Sequence, residues 1–305
     1  MGQEIDFIAQ FHAYLLTEKR VSENTFLAYK RDVAQLDNYL KSKKVTLDGC
    51  QKKHLTNFLK HLKDAGFKAK TLSRKISSIK LLFDFVHERY KLSNSASGLI
   101  FPKLEKKLPA FLSEQEVQAL LVAASSDVSD KGTRNKVMLS LLYATGMRVS
   151  ELVSLTVDQL YFDTGFIKLS GKGNKERFVP LPKSILSLLR FYLDVVYPKL
   201  LLSSEKQNNK ENYLFFTLYK KTIKSLSRQS FWIILKKILK KALIVKNISP
   251  HSLRHSLATH LLKNGADLRS LQILLGHENL ATVQVYTHLG DSELRKIYDK
   301  NHPRA

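Results

Sequence analysis

One cysteine, Cys50, in 305 residues leaves no partner for an internal disulfide and suits a reducing compartment. The opening Met1-Gly2-Gln3-Glu4-Ile5-Asp6 lacks the basic start and apolar run of a secretory leader. No apolar stretch reaches the roughly 18 residues that span a bilayer; Val137 to Met147 is about the best, and it is too short. There is no Gly-x-x-x-x-Gly-Lys-[Ser/Thr] phosphate loop and no cluster of acidic metal ligands. These absences predict a soluble, cytoplasmic protein with no membrane partner.

Acidic side chains are scarce as well. Twenty-seven Asp plus Glu face 50 Lys plus Arg, a net charge of +23 and a pI near 9.9. Self-repulsion of that size opposes compaction, so the fold does not explain it. Residues 1–105 hold 19 basic and 11 acidic side chains, which leaves +15 for the remainder, so both halves are positive. A polyanionic partner fits, and nucleic acid leads. The bland alternative is a lysine-rich surface that only keeps the protein in solution. A membrane-surface role would call for a basic amphipathic terminal helix, and none is present.

What is there reads as two domains, in keeping with the length. Residues 1–97 are helical throughout. Apolar residues recur at helical spacing in 5–16 (Ile8, Phe11, Tyr14, Leu15), in 24–41 after Ser22, in 54–65 up to Gly66, and in 69–89. The last of these places Leu72, Ile76, Ile79, Leu82 and Phe83 inward and Lys70, Arg74, Lys75 and Lys80 on other faces. Four short helices with a basic exterior make a small bundle. Residues 98–112, with two prolines and no period, read as a linker. Ser113 with Glu116 is a capping-box signature that opens a second domain, 113–305. That domain is helical except where 160–162, 166–169 and 177–180 alternate as strands, separated by Asp163-Thr164-Gly165 and Gly171-Lys172-Gly173-Asn174. The expected class is mainly α with a small antiparallel β-sheet. Residues 203–212 form a polar insert that reads as a surface loop.

Within the second domain, polar residues stand where a simple core has no use for them. Arg148 falls at a helix start after Gly146. Lys172 sits at a hairpin tip. His251 and Arg254 lie three apart after Pro250, on one helical face. His277 follows Gly276, and Tyr286 comes nine residues later. Each alone has a plain structural explanation: an ion pair from Arg148 to Glu151, a turn lysine, a capping histidine, a core tyrosine. His251 and His255 at i, i+4, with His260 nearby, also suggest zinc, but Arg254 between them repels a cation.

Taken together, Arg148, Lys172, His251, Arg254, His277 and Tyr286 resemble the site of the tyrosine recombinase (phage integrase) family, in that family's order. The local strings Thr-Gly-Met-Arg-Val-Ser-Glu-Leu, Gly-Lys-Gly-Asn-Lys-Glu-Arg, His-Ser-Leu-Arg-His-Ser-Leu-Ala-Thr-His, Leu-Leu-Gly-His-Glu-Asn-Leu and Val-Tyr-Thr-His-Leu are similar too. The likeness covers nearly the whole chain and is strongest to the bacterial Xer recombinases, in compact length, in Ser22-Glu23-Asn24-Thr25 and in the closing Asn301-His302-Pro303-Arg304-Ala305. One departure is Val283 after Thr282, where the family often has two adjacent hydroxyl residues; it bears on helix detail, not on the nucleophile.

The resemblance implies a SAM-like DNA-binding bundle followed by an α+β catalytic domain whose C-terminal helix, about 289–298, docks on a neighbouring protomer, with a self-packing terminal helix as the alternative. It implies cleavage and rejoining of double-stranded DNA through a 3′-phosphotyrosine on Tyr286, as in type IB topoisomerases, with no cofactor, metal or ATP. Arg148 and Arg254 are suited to grip the scissile phosphate in forked hydrogen bonds and to stabilise the charge that grows on attack. Tyrosine has a pKa near ~10, so its proton must leave as it attacks; His251 is the expected base or orienting group. Lys172 is the expected acid for the 5′-hydroxyl and His277 a donor to the phosphate, while Glu151 and His255 orient these groups. The expected assembly is a homo- or hetero-tetramer on two DNA sites, with a paralogous recombinase and a septal DNA translocase as further partners. Chromosome-dimer resolution at a dif-like site is the leading role. A mobile-element integrase with the same chemistry is the alternative, set back by the lack of an extra N-terminal arm-binding domain. A DNA-binding protein that has lost catalysis is set back by the complete set of six.

Overall fold

A computed structural model describes residues 6–103, 110–171, 176–202, 212–220, 222–275 and 301–303. Contacts divide the chain into two units, Met1–Lys107 and Leu108–Ala305.

In the first unit, α1 (Phe7–Thr17), α2 (Glu23–Ser42), α3 (Lys52–Asp64) and α4 (Ala69–Tyr90) enclose a core of Phe11, Leu15, Val33, Leu36, Leu55, Phe58, Ile79 and Leu82. Caps set the helix starts: Asp6 accepts from the Ile8 and Ala9 amides, and Ser22 from that of Thr25. The core extends past the helices to Ala96 and Leu99. The expectation of an outward Lys75 is corrected. Lys75 is buried on α4 and donates to Asp32 Oδ1 at 2.8 Å and Gln35 Oε1 at 2.6 Å, while Arg74 pairs with the other Asp32 oxygen. An ammonium needs a paired anion to sit among leucines, and α2 supplies it.

In the second unit, Leu112 is fully buried and its amide donates to Ser256 Oγ. The Ser113–Glu116 capping box then starts α5 (Glu114–Ser125), as its sequence signature requires, a cap of about 1 kcal/mol. The apolar α6 (Asp130–Thr145) forms the hub, buried from Val137 to Thr145. Next come α7 (Val149–Ser154) and an antiparallel sheet in the order β1 (Leu160–Tyr161), β2 (Phe166–Ser170), β3 (Glu176–Pro180). Then α8 (Lys183–Phe191) widens into a π turn at Tyr192–Val196 and continues as α9 (Tyr197–Leu202). A second hairpin that the sequence reading lacked, β4 (Phe216–Tyr219) with β5 (Thr222–Ser225), precedes α10 (Arg228–Lys241), α11 (Pro250–Lys263) and α12 (Leu268–Leu275). Most of the expected polar insert, 203–211, lies outside the described residues, as does the expected C-terminal helix.

Asn301 and His302 are buried; Asn264, the C-cap of α11, donates to the Asn301 carbonyl, and Tyr143 of α6 packs on the His302 ring. Among the described residues no helix is long and apolar enough to cross a membrane.

Candidate active site

Gly146 organises the site. It ends α6 in the left-handed region at φ +60, and a Cβ there would come within 2.6 Å of Leu275 and 2.9 Å of Leu257, so both its backbone and its bareness are required. Two residues on, Arg148 is the N-cap of α7.

Glu151, only 6 % exposed, reaches back to cap its own helix, accepting from the Arg148 amide at 2.7 Å and from Arg148 Nη1 at 3.0 Å. The ion pair offered as the plain explanation of Arg148 is therefore real. It also fixes the position of a guanidinium that stays 39 % exposed.

The same carboxylate has a second cation. Arg177 on β3 forks onto it, Nη1 to Oε1 at 3.0 Å and Nη2 to Oε2 at 2.8 Å, and its Nε donates to the Leu274 carbonyl at 3.3 Å. Burial pushes the Glu151 carboxyl up, but Arg177's hydrogen bonds and charge, then Arg148's, outweigh it and leave the group below the ordinary glutamate value. Arg177 was absent from the residues expected at the site. The signal was present, since alternation with the buried Val179 puts Arg177 on the inner face of β3.

Arg254, on the first turns of α11, is 5 % exposed. Its Nη1 donates to the Gly146 carbonyl at 2.7 Å and its Nη2 to that of Leu275. Burial lowers this guanidinium to about 10, the charges of Arg148 and Arg177 act in the same direction, and Glu151 opposes them. It remains a cation at neutral pH. Arg148 and Arg177 thus share one carboxylate, and Arg254 feels the charge of all three, so positive charge is in excess here.

His251 and His255 are exposed on α11, one on each side of Arg254 in sequence, with the His255 ring edge-on to Phe111 at 6.3 Å. His260, considered above as a third zinc ligand, is a core residue whose Nδ1 meets the Tyr143 hydroxyl at 2.8 Å. Among the described residues no group of three metal-ligating side chains gathers. The structure thus brings Arg148, Glu151 and Arg254 together, with His251 and His255 on the same helix as Arg254. Lys172, His277 and Tyr286 lie outside the described residues. The β2–β3 pairing that leads to Lys172 is described up to Ser170 opposite Glu176, with Lys168 bonded to Glu176 at 2.9 Å.

Residues 110–293 match the phage integrase family, and residues 8–89 match the phage integrase N-terminal SAM-like domain. The chain belongs to this family: it is a tyrosine recombinase, a site-specific DNA-recombining enzyme that works through a covalent phosphotyrosine. It is similar to the tyrosine recombinase XerD of Staphylococcus epidermidis, 42 % identical over 300 residues, covering 98 % of this chain and 99 % of that one. XerD of Oceanobacillus iheyensis is 43 % identical over 302 residues, with 98 % of each chain covered. The fold is that of the XerH recombinase bound to difH substrate before cleavage, at TM-score 0.70 and 22 % identity, covering 96 % of this chain and 95 % of that one.

Proposed function

We propose that the chain resolves chromosome dimers, cleaving and rejoining double-stranded DNA at a dif-like site during chromosome segregation. The observation that carries the reading is the convergence of Arg148 and Arg254 on one frame, Gly146 to Glu151, each held by main-chain or carboxylate partners. The XerD relatives, similar over nearly the full chain, favour this role over integration of a mobile element.

In the reaction, Tyr286 attacks the scissile phosphorus while Arg148 and Arg254 hold the non-bridging oxygens and His277 donates to them. His251 takes or orients the tyrosine proton, with His255 beside it and Glu151 bracing Arg148. Lys172 protonates the departing 5′-oxygen. The 3′-phosphotyrosine conserves the bond energy, so the reverse attack by a 5′-hydroxyl reseals the strand without ATP. Residues 1–97 clamp one side of the duplex, 98–112 link, and 113–305 grip the other side and cut. A tetramer on two sites, of one chain or with a paralogue, works in the cytoplasm, and a septal DNA translocase activates it.

The test is a nicked dif-like duplex incubated in EDTA without nucleotide. A covalent protein–DNA complex that survives denaturant is expected; its loss in chelator, or its failure to form, would overturn the reading. Duplex affinity should also fall steeply with salt, by roughly 0.9 in the log–log slope for each phosphate neutralised. A flat response in a filter-binding titration would rule out the two-sided clamp.

A further inference from the structure

Arg177 belongs to none of the roles above, yet its bonds run to two separate parts of the site. Its two terminal nitrogens donate to both oxygens of Glu151, its Nε donates to the Leu274 carbonyl, and it sits on β3, shortly after Lys172 in the sequence. Glu151 in turn holds Arg148 by side chain and amide. One residue beyond Leu274, the Leu275 carbonyl is held by Arg254. Successive carbonyls at the end of α12, the last described turn before His277, are thus bound by two different arginines.

Arg177 does not itself reach substrate: all three of its donor nitrogens are engaged and it is 5 % exposed. Replacing it with lysine would keep the charge and lose the fork, since one ammonium cannot match two carboxylate oxygens and a carbonyl in a plane.

We propose that Arg177 is a positioning residue for DNA cleavage, fixing the Arg148 guanidinium through Glu151 and registering β3 and the end of α12 against it. The proposal rests on the role given above to Arg148. Its effect is on charge stabilisation at the phosphate, and that is how it differs from a packing role.

The test compares Arg177→Met and Arg177→Lys with the parent, as full chains, in single-turnover cleavage below each variant's melting temperature. Two duplexes are used, one with the natural scissile phosphodiester and one with a neutral methylphosphonate at that position. Displacing a catalytic group by an ångström costs about 100-fold, so Arg177→Met should lose about that much on the phosphodiester. On the neutral substrate, where there is less charge for Arg148 to hold, the loss should shrink to a few-fold, and duplex affinity should be unchanged. Arg177→Lys should fall between parent and Met, and it carries the same test if Met does not fold. Equal losses on both substrates, or no loss on the phosphodiester, would overturn the proposal. Arg148→Lys is run alongside. If it cleaves the phosphodiester like the parent, the assignment of Arg148 is what fails, and this inference falls with it.

Discussion

Tyr286→Phe should bind a duplex site as the parent does and form no covalent adduct with it. The change deletes one oxygen and leaves the ring, so whatever the ring packs against is kept. Duplex affinity generally rests on Lys and Arg contacts to phosphates, which the change does not touch. Chemistry is another matter, because the change removes the phenolic oxygen proposed to become bonded to phosphorus. Deleting a covalent nucleophile from a set that acts as a unit costs on the order of a million-fold, below detection in a gel assay. Denaturing electrophoresis of a labelled nicked substrate reads the adduct, and a mobility shift reads binding. A trapped complex in the variant would mean that another residue attacks.

Glu151→Ala should be the most destabilising single change in the site. It leaves Arg177 buried without its carboxylate and removes the cap of α7. Stripping one partner from a buried ion pair costs about 3–5 kcal/mol, against about 1 for an ordinary substitution. For a unit of this size that is a fall in Tm of roughly 6–20 °C.

The pH dependence has a definite sign. Glu151 is held below its ordinary value in the folded chain, so its stabilisation is complete above the ordinary glutamate pKa and is lost as pH falls through the folded one. The gap in Tm between parent and Glu151→Ala should therefore be full at neutral pH and narrow only in acid, below about pH 4. Differential scanning calorimetry over that range measures it; a gap that stays constant into acid would mean the carboxylate is not what stabilises.

Much of this arrangement is legible in the sequence because its causes are local. Ser22 and the Ser113–Glu116 pair start helices where capping chemistry says they should, and the alternation in 166–180 gives the sheet its strands. The second hairpin was not legible. Its turn passes Lys220, at φ +46, without the glycine or asparagine that marks such a turn, so nothing in the string announces it. Lys75 shows a limit of another kind. It stands on the apolar stripe with Leu72 and Ile79, and its burial depends on distant partners, the anion Asp32 and the amide of Gln35. Arg177 lies between these cases. Strand period turns it inward, and what it meets there can be learned only from the fold.

Gly146 gives the site a dimension that no side chain could set. Helices α11 and α12 come to rest against a bare α-carbon, and from that distance Arg254 spans from the end of one helix to the end of another. A single methyl group would act as a shim between them, moving Leu275 outward and drawing its carbonyl away from the guanidinium. The reach of an arginine proposed to hold DNA is thus measured out by the smallest residue in the protein.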